Sequence, residues 1–258
     1  MSNSGASSFS SGPVTAASWD DAVEPQYMID AMHASTDKLP DWSAVESVFM
    51  DMDGTLLDLH FDNHFWLEHL PQRYGERHGM SAAAALEALT PRFRAVEGTL
   101  AWYSLEYWSR ELDMDIVTLK REVEQLIRVL PHAEDFLTRV RARGKRLVLV
   151  TNAHADVLNL KLEHTRIESH FDRIVSSHDL GFPKETAEFW HRLQEMEPFD
   201  TQTTLLADDS LPVLRAARDY GIRHVVAMRR PDSRRPARDM GDFPAIETLA
   251  ELLPDERD

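Results

Sequence analysis

Residues 48–57 read Val-Phe-Met-Asp-Met-Asp-Gly-Thr-Leu-Leu and contain the most informative pattern in the chain. An apolar run that begins near Val45 leads into it and is broken by two aspartates and then by Gly54. Buried parallel strands have such continuous apolar runs, and open α/β sheets bind their ligands at the carboxyl ends of the strands. The stretch therefore predicts a buried parallel strand whose carboxyl end carries Asp51 and Asp53.

Asp51 and Asp53 are two carboxylates one residue apart at the end of this strand. Unpaired carboxylates are costly in such a place, so the pair needs a cation. We expect Asp51 to act as a nucleophile and Asp53 as a proton-transfer partner, at a site that also holds a divalent metal. The alternative is a strand end followed by a solvated turn. A bare Asp-x-Asp pair would favour that alternative, but Asp-x-Asp-Gly-Thr directly after an apolar strand is far more specific.

The composition excludes several classes of function. The chain has 258 residues, 43% of them hydrophobic and 28% charged, as is usual for a soluble globular protein of one or two domains. It has no apolar stretch near the roughly 20 residues that span a membrane, no secretory-signal pattern and no cysteine. A formal net charge of −16 argues against a nucleic-acid or anionic-membrane partner. The lack of cysteine suits a cytoplasmic enzyme, and the charge predicts that neither nucleic acid nor a membrane is its partner.

Three parts of the chain differ in pattern. Residues 1–42 are rich in Ser, Ala, Gly and Asp, and they predict a flexible N-terminal extension. Residues 60–130 have apolar and aromatic residues at helical spacing and predict a helical cap inserted after the first strand. Within the cap we expect Pro91 to end one helix and another helix to span residues 116–130. Residues 43–59 and 131–258 predict the core of alternating strands and helices, which closes with a helix over residues 243–253.

Two further apolar segments lead to polar groups that suit a phosphate. Residues 146–150 predict a strand that ends in Thr151 and Asn152, whose side chains and backbone N–H groups can hold phosphate oxygens. Helix capping by these two residues is the alternative. A short strand over residues 174–176 precedes a turn that contains Lys184. A lone lysine is usually a solvated group, but at this position Lys184 would supply the fixed positive charge that an acidic phosphate site requires.

Asp208 and Asp209 follow the apolar segment 204–207. Two adjacent carboxylates at a strand end need a cation or a shared proton. The pattern by itself leaves both possibilities open. The arginine-rich residues 229–238 are interpreted as a solvated loop.

Residues 51–56, Asp-Met-Asp-Gly-Thr-Leu, resemble the first motif of the haloacid dehalogenase (HAD) superfamily of phosphotransferases. Thr151-Asn152, Lys184 and Asp208-Asp209 resemble its second, third and fourth motifs, in that order and each after a predicted strand. The resemblance covers the chain from about residue 45 to 228. It implies a Rossmann-like three-layer α/β/α sandwich with a mostly parallel sheet and an inserted helical cap.

Further segments in the cap and core, residues 58–66, 151–154, 161–165 and 181–185, resemble the bacterial GMP/IMP nucleotidases of this superfamily. The resemblance implies Mg²⁺-dependent hydrolysis of purine 5′-monophosphates through an aspartyl-phosphate on Asp51, with Asp53 as acid and base. It implies that Thr151, Asn152 and Lys184 hold the phosphate. The metal ligands it implies are Asp51, Asp53 through its backbone carbonyl, Asp208 and Asp209. The oligomeric state and the base preference stay open.

Three other functions compete with this one. A dehalogenase of the same superfamily would not need Asp53 or the pair Asp208-Asp209 for a metal-coupled proton transfer. A phosphomutase, or a phosphatase for sugar phosphates, would share every core motif and differ in the cap. A catalytically idle phosphate- or protein-binding module would be expected to lose the nucleophile or the metal carboxylates, and all of these are present.

Overall fold

The computed structural model of the protein describes residues 39–253, and a six-stranded parallel sheet lies at its centre. The strands are β1 (Ser47–Met50), β2 (Arg146–Thr151), β3 (Arg173–Ser176), β4 (Thr204–Asp208), β5 (His224–Met228) and β6 (Ala245–Ile246). Their order across the sheet is β3-β2-β1-β4-β5-β6, and every neighbouring pair is parallel. Helices flank this sheet, so the predicted Rossmann-like α/β fold is confirmed.

Strand β1 occupies the centre because all four of its residues are buried, as the apolar run predicts. It pairs with β2 on one side and with β4 on the other, and Met50 lies opposite both Leu149 and Ala207. Phe49 joins a core cluster in which Val148 and Leu206 pack against helices that follow the strands. The side chains at the carboxyl ends of β1, β2 and β4 therefore share one edge of the sheet.

Eleven α-helices are found in the described residues. Those between β1 and β2 are α1 (His60–His64), α2 (Leu70–His78), α3 (Ala82–Val96), α4 (Leu100–Tyr103), α5 (Leu105–Leu112), α6 (Ile116–Arg121) and α7 (Ala133–Ala142), with a π-helix at Phe65–His69. The later ones are α8 (Ala155–Thr165), α9 (Ser177–Leu180), α10 (Ala187–Met196) and α11 (Leu211–Tyr220). Helices α1–α6 fall in the range predicted for the cap. The division of the chain into cap and core domains stays a prediction.

Two details of the helical segment differ from the prediction. Pro91 does not end a helix but lies inside α3, because the buried residues Ala85, Leu89 and Phe93 continue one apolar stripe past it. The helix predicted over residues 116–130 ends at Arg121 and is followed by a 3₁₀ turn, Glu124–Leu126. The chain then returns extended to the loop after β1, where the Leu130 N–H donates to the carbonyl of Leu56.

The prediction of a helix over residues 243–253 is also wrong. Residues 245–246 instead form β6, which pairs with the otherwise uncovered edge of β5. A 3₁₀ helix, Leu249–Leu252, follows and begins with a capping box between Thr248 and Glu251.

The predicted N-terminal extension lies outside the described residues over positions 1–38. Trp42, its last predicted residue, is buried, packs on Phe136 and donates its indole N–H to the Leu252 carbonyl at 3.1 Å. The packed body therefore begins no later than Trp42. Among residues 39–253, the longest apolar helices fall short of what a membrane crossing requires.

Candidate active site

Lys184 lies at the centre of the polar residues at the carboxyl edge of the sheet. Its ammonium group donates to Oδ1 of Asp51 at 2.6 Å, to Oδ2 of Asp208 at 2.7 Å and to the Val150 carbonyl at 3.1 Å. The side chain is only 2% exposed, so the contacts with the carboxylates are shielded from water. One buried cation thus joins the ends of β1, β2 and β4.

The backbone of the loop fixes Lys184 in this position. The Lys184 N–H donates to Oδ1 of Asn152 at 3.0 Å, and the Lys184 carbonyl accepts from the indole of Trp190 on α10 at 2.9 Å. Because both backbone groups are bonded, the side chain is aimed at Asp51 by the loop itself. The predicted turn lysine is therefore brought together with the predicted nucleophile.

The charges of this cluster depend on one another. Burial raises the pKa of Asp51 to about 6, against the opposing effect of the Lys184 ammonium. Burial likewise raises the pKa of Asp208. Burial opposes the charge of Lys184, but Asp208 and Asp51 outweigh it and raise the pKa of the ammonium above its usual value. The two carboxylates thus stabilise the ammonium form of Lys184, and that charge in turn favours the ionised form of Asp51.

The carboxylates of Asp51, Asp208 and Asp209 are arranged as a cation site would be. One oxygen from each lies within 4.8 Å of the others. Oδ2 of Asp51 is buried and has no hydrogen-bond partner within residues 39–253, although a buried carboxylate oxygen without a partner is costly. Carboxylate oxygens are the ligands that hard divalent cations such as Mg²⁺ prefer, so this donor set fits such an ion.

Gly54 allows the turn after β1 to lie against this acidic group. Its φ is +87°, a left-handed conformation that side chains rarely adopt. A Cβ atom at this position would lie 2.6 Å from both Cγ and Oδ2 of Asp209 and 2.8 Å from Cβ of Pro231. The glycine is therefore required both for the backbone turn and for the approach of Asp209.

Asp53 is close to these residues in the chain, but its side chain has different contacts. Its Oδ1 accepts a hydrogen bond from Lys161 on α8 at 2.6 Å. In the described part of the chain, the carboxylates grouped closely enough to share one cation do not include Asp53. Burial raises the pKa of Asp53 to about 6, with Lys161 opposing that shift. An acid with this pKa can both give and take a proton near neutral pH.

Asn152 contacts Lys184, and the side chains of Thr151 and Asn152 are both bonded to nearby loop residues. The Thr151 hydroxyl accepts from the Ala153 N–H at 3.0 Å, which is a local turn contact. Asn152 accepts from the Lys184 N–H and donates its amide to Glu185 at 3.0 Å. Neither residue caps a helix, since His154 is the N-cap of α8, so the capping alternative is not what the structure has. The phosphate-binding role of Thr151 and Asn152 stays a prediction.

Glu185 and Tyr103 add a contact between the helical segment and the site that the sequence reasoning missed. The hydroxyl of Tyr103, on α4, donates to Oε1 of Glu185 at 2.5 Å. Burial and the neighbouring Glu185 carboxylate raise the pKa of Tyr103 well above its usual value, so the phenol is protonated. The position of Glu185 directly after Lys184 was a usable signal, whereas nothing in the sequence pairs it with Tyr103.

The sequence analysis also did not predict the ion pairs that join Lys161, Asp62 and Lys120. Lys161 bridges Asp53 and Asp62, and Lys120 donates to the other oxygen of Asp62 at 2.7 Å. Both lysines are buried, and each lies four residues after a buried apolar residue of its helix, Val157 and Ile116 respectively. A lysine on the apolar stripe of a helix was the available signal.

The loop of residues 229–238, which was predicted to be solvated, also reaches the site. Nη1 of Arg238 lies 3.4 Å from Oδ2 of Asp209. The Asn63 side chain donates to the buried Asp232 of the same loop at 2.7 Å. This loop is therefore packed between the start of the helical segment and the acidic cluster.

Comparisons with known proteins identify the family of the chain. Residues 45–228 match the family model described as haloacid dehalogenase-like hydrolase. The GMP/IMP nucleotidases YrfG of Escherichia coli and of Shigella flexneri are each 37% identical over 213 residues, which cover 83% of this chain and 96% of theirs. A HAD phosphatase from Thermococcus onnurineus has a similar structure, with a TM-score of 0.67 and 22% identity over 81% of this chain and 96% of that one.

Proposed function

The chain belongs to the haloacid dehalogenase-like hydrolases, and we propose that it is a magnesium-dependent purine 5′-nucleotidase that releases phosphate from GMP and IMP. The reaction class is supported above all by the surroundings of Asp51. Its Oδ1 accepts from a buried lysine, its Oδ2 has no hydrogen-bond partner in the described residues, and the residue belongs to an acidic group that could hold a cation. The substrate class is supported by the GMP/IMP nucleotidases, which resemble this chain over nearly their whole length.

Asp51 is the nucleophile in this proposal. Its carboxylate attacks the phosphorus in line with the 5′-oxygen, so that an aspartyl-phosphate forms and the nucleoside leaves. Lys184 holds the side chain of Asp51, and the Asp51 N–H donates to the Ala207 carbonyl. Because both contacts fix Asp51 at the end of β1, little reorganisation is needed before attack. Water then cleaves the aspartyl-phosphate and regenerates the free carboxylate.

Asp53 is the general acid and base. It gives its proton to the leaving 5′-oxygen in the first step and takes a proton from the attacking water in the second. The raised pKa of Asp53, about 6, suits a group that must change its protonation state in each half of the cycle.

Charge on the transferring phosphoryl group is balanced by groups around Asp51. The Lys184 ammonium would provide a fixed positive charge, and in this proposal Thr151 and the Asn152 backbone also hold phosphoryl oxygens. Asp51, Asp208, Asp209 and the Asp53 carbonyl would hold Mg²⁺. When bound, this ion would neutralise negative charge on the phosphoryl oxygens as a Lewis acid.

The experiment that tests the proposal is phosphate release from a panel of 5′-nucleotides and sugar phosphates, with Mg²⁺ and with EDTA. The wild type and Asp51→Asn are compared, because that substitution keeps the shape of the side chain. We expect metal-dependent hydrolysis concentrated on GMP and IMP and lost in Asp51→Asn. Hydrolysis spread over sugar phosphates would contradict the nucleotidase proposal while leaving the mechanism intact. Folded protein that hydrolyses none of these esters would contradict both and favour a mutase or a binding module.

A further inference from the structure

Four buried or half-buried charged residues form a chain that ends at Asp53. Lys161 donates to Asp53 at 2.6 Å and to Oδ2 of Asp62 at 2.7 Å, and Lys120 donates to Oδ1 of Asp62 at 2.7 Å. The sequence separations are large, since Lys161 is 108 residues from Asp53 and 99 from Asp62. The chain of charges thus joins the loop after β1, helices α1 and α6, and helix α8.

The two lysines of this chain of charges are shielded from water, and the two aspartates are half-buried. The side chains of Lys161 and Lys120 are each 2% exposed. The ring of Phe61 has its centroid 5.3 Å from the Lys161 ammonium and 4.9 Å from that of Lys120, and Phe65 also lies close to Lys120. Burying two lysines and two aspartates costs desolvation free energy, and a hydrophobic cluster would hold the same helices together without that cost. The choice of charged groups therefore calls for a reason beyond packing.

The position of Asp53 provides a reason for charged groups at this place. An acid that must reach the leaving oxygen has to be held in a narrow range of positions, and a carboxylate at the end of a short loop can turn about two bonds. A lysine with a single partner would not restrict it, because the four-carbon stem is flexible. Asp62 gives the Lys161 ammonium a second anchor 2.7 Å away, so that the position of Nζ, and with it Oδ1 of Asp53, is defined from two sides.

We propose that Lys161, anchored by Asp62, is a positioning residue that orients the carboxyl group of Asp53 for proton transfer to the leaving oxygen. This inference rests on the proposed role of Asp53 as the general acid. Lys120 contacts Asp62 but not Asp53, and it balances the charge of the group. It therefore serves as a matched control, since it is the same residue type with the same burial and a shared partner.

The test compares esters whose leaving groups differ in their need for a proton. The p-nitrophenolate ion leaves without one, whereas the benzyl alkoxide and the nucleoside 5′-alkoxide need protonation as the bond breaks. We would measure kcat/KM for p-nitrophenyl phosphate, benzyl phosphate and GMP, because this constant covers the steps up to departure of the alcohol. The later hydrolysis of the aspartyl-phosphate is common to all three esters.

For Lys161→Met we expect kcat/KM to fall about 10–100-fold more for benzyl phosphate and GMP than for p-nitrophenyl phosphate. This difference is a part of the total rate enhancement that general acid catalysis contributes. Asp62→Asn should change the ratio of kcat/KM between p-nitrophenyl phosphate and the other two esters in the same direction by a smaller factor. If Lys161→Met does not fold, this variant tests the proposal in its place. Lys120→Met should leave the ratio within about threefold, whatever its effect on stability, because it does not contact Asp53. Equal losses for all esters in Lys161→Met, or an equal shift in Lys120→Met, would overturn the proposal and assign the group a structural role.

Failure of the proposal for Lys161 can be distinguished from failure of the nucleotidase proposal. If the wild type hydrolyses the two synthetic esters but not GMP, the nucleotidase proposal fails, and the ratio of the two synthetic esters still tests Lys161. If the wild type hydrolyses GMP and Lys161→Met lowers all esters alike, the nucleotidase proposal stands and this inference fails.

Discussion

The ammonium nitrogen of Lys184 lies 2.6 Å from Oδ1 of Asp51. The pair is buried, and the same nitrogen also contacts Asp208, so a single cation compensates two carboxylates at the centre of the sheet edge. Such a lysine has two effects that can be measured separately, one on the phosphoryl transfer and one on folding.

Replacing Lys184 with Met should lower kcat by a factor on the order of 10²–10³, by analogy with the loss of one donor to a developing negative charge. It should also lower the free energy of unfolding by about 3–5 kcal/mol in the absence of metal, because it leaves two buried carboxylates without a compensating positive charge. Steady-state kinetics and denaturant unfolding would check these values. Lys145→Met is a control, since Lys145 contacts the Trp42 carbonyl and lies before β2 rather than after it. A variant of Lys184 with unchanged kcat would contradict the assignment.

Replacing Gly54 with Ala should weaken activation by Mg²⁺ at least tenfold, because the added Cβ would push against the Asp209 carboxylate. The control is Gly79→Ala. Gly79 also has a positive φ, +67°, but its Cβ would meet nothing within 4 Å, so it carries the backbone strain without the contact. The measurement is the Mg²⁺ concentration that gives half-maximal phosphate release. Equal values for both variants would mean that the approach to Asp209 does not matter.

Replacing Asp209 with Asn should raise the half-saturating Mg²⁺ concentration on the order of 10–100-fold. EDTA should abolish activity of the wild type, and added Mg²⁺ should restore it. In the absence of substrate, Mg²⁺ should also raise the melting temperature of the wild type, because the ion binds the folded state, and this rise should shrink in the variant. Asp219→Asn, at an exposed position on α11, should behave like the wild type in both measurements. A full Mg²⁺-dependent rise in the Asp209 variant would exclude it as a ligand.

Replacing Asp62 with Asn should lower the free energy of unfolding at pH 7 by about 3–5 kcal/mol, because two buried lysines lose a partner. Burial opposes the charge of Asp62, but Lys120 and Lys161 outweigh it and hold the pKa of this carboxyl well below its usual value. A carboxyl whose pKa is lower in the folded state stabilises the fold above its unfolded pKa, and that stability is lost as the pH falls.

The difference in unfolding free energy between the wild type and Asp62→Asn should therefore be constant from about pH 7 to pH 5 and shrink below about pH 4, the ordinary value for Asp. Urea unfolding at a series of pH values measures it. The exposed control Asp219→Asn should show almost no difference at any pH. A difference that grows on acidification would have the wrong sign for this ion pair.

The strands that carry the site were predictable because each is a continuous apolar run that ends in polar residues. This pattern located β1, β2 and β4, and the parallel register then brought Asp51 and Asp208 together. Strand β6 was missed because it has only two residues, and its pairing with β5 decides its conformation. Pro91 was wrongly predicted to end a helix, because the packing of the buried stripe of α3 outweighs the tendency of proline to interrupt a helix.

The contacts between distant segments could not be predicted in the same way. The sequence shows that Lys161 lies on the apolar side of a helix, but its partners Asp53 and Asp62 are about a hundred residues away. The same holds for Tyr103 and Glu185, which meet across 82 residues. Such pairs depend on where the helices after β1 are placed against the sheet, and a single sequence contains no local signal for that placement.

The hydrogen bond from Trp42 to the Leu252 carbonyl has a practical consequence for protein engineering. It brings the first and last packed segments of the body side by side, next to Lys145, which precedes β2. This is the amino edge of the sheet, whereas Asp51 follows the carboxyl end of β1. A circular permutant that joins residue 253 to residue 39 through a short linker, and opens the chain at the exposed turn around Gly98, would therefore leave the edge that carries Asp51 and Lys184 uncut.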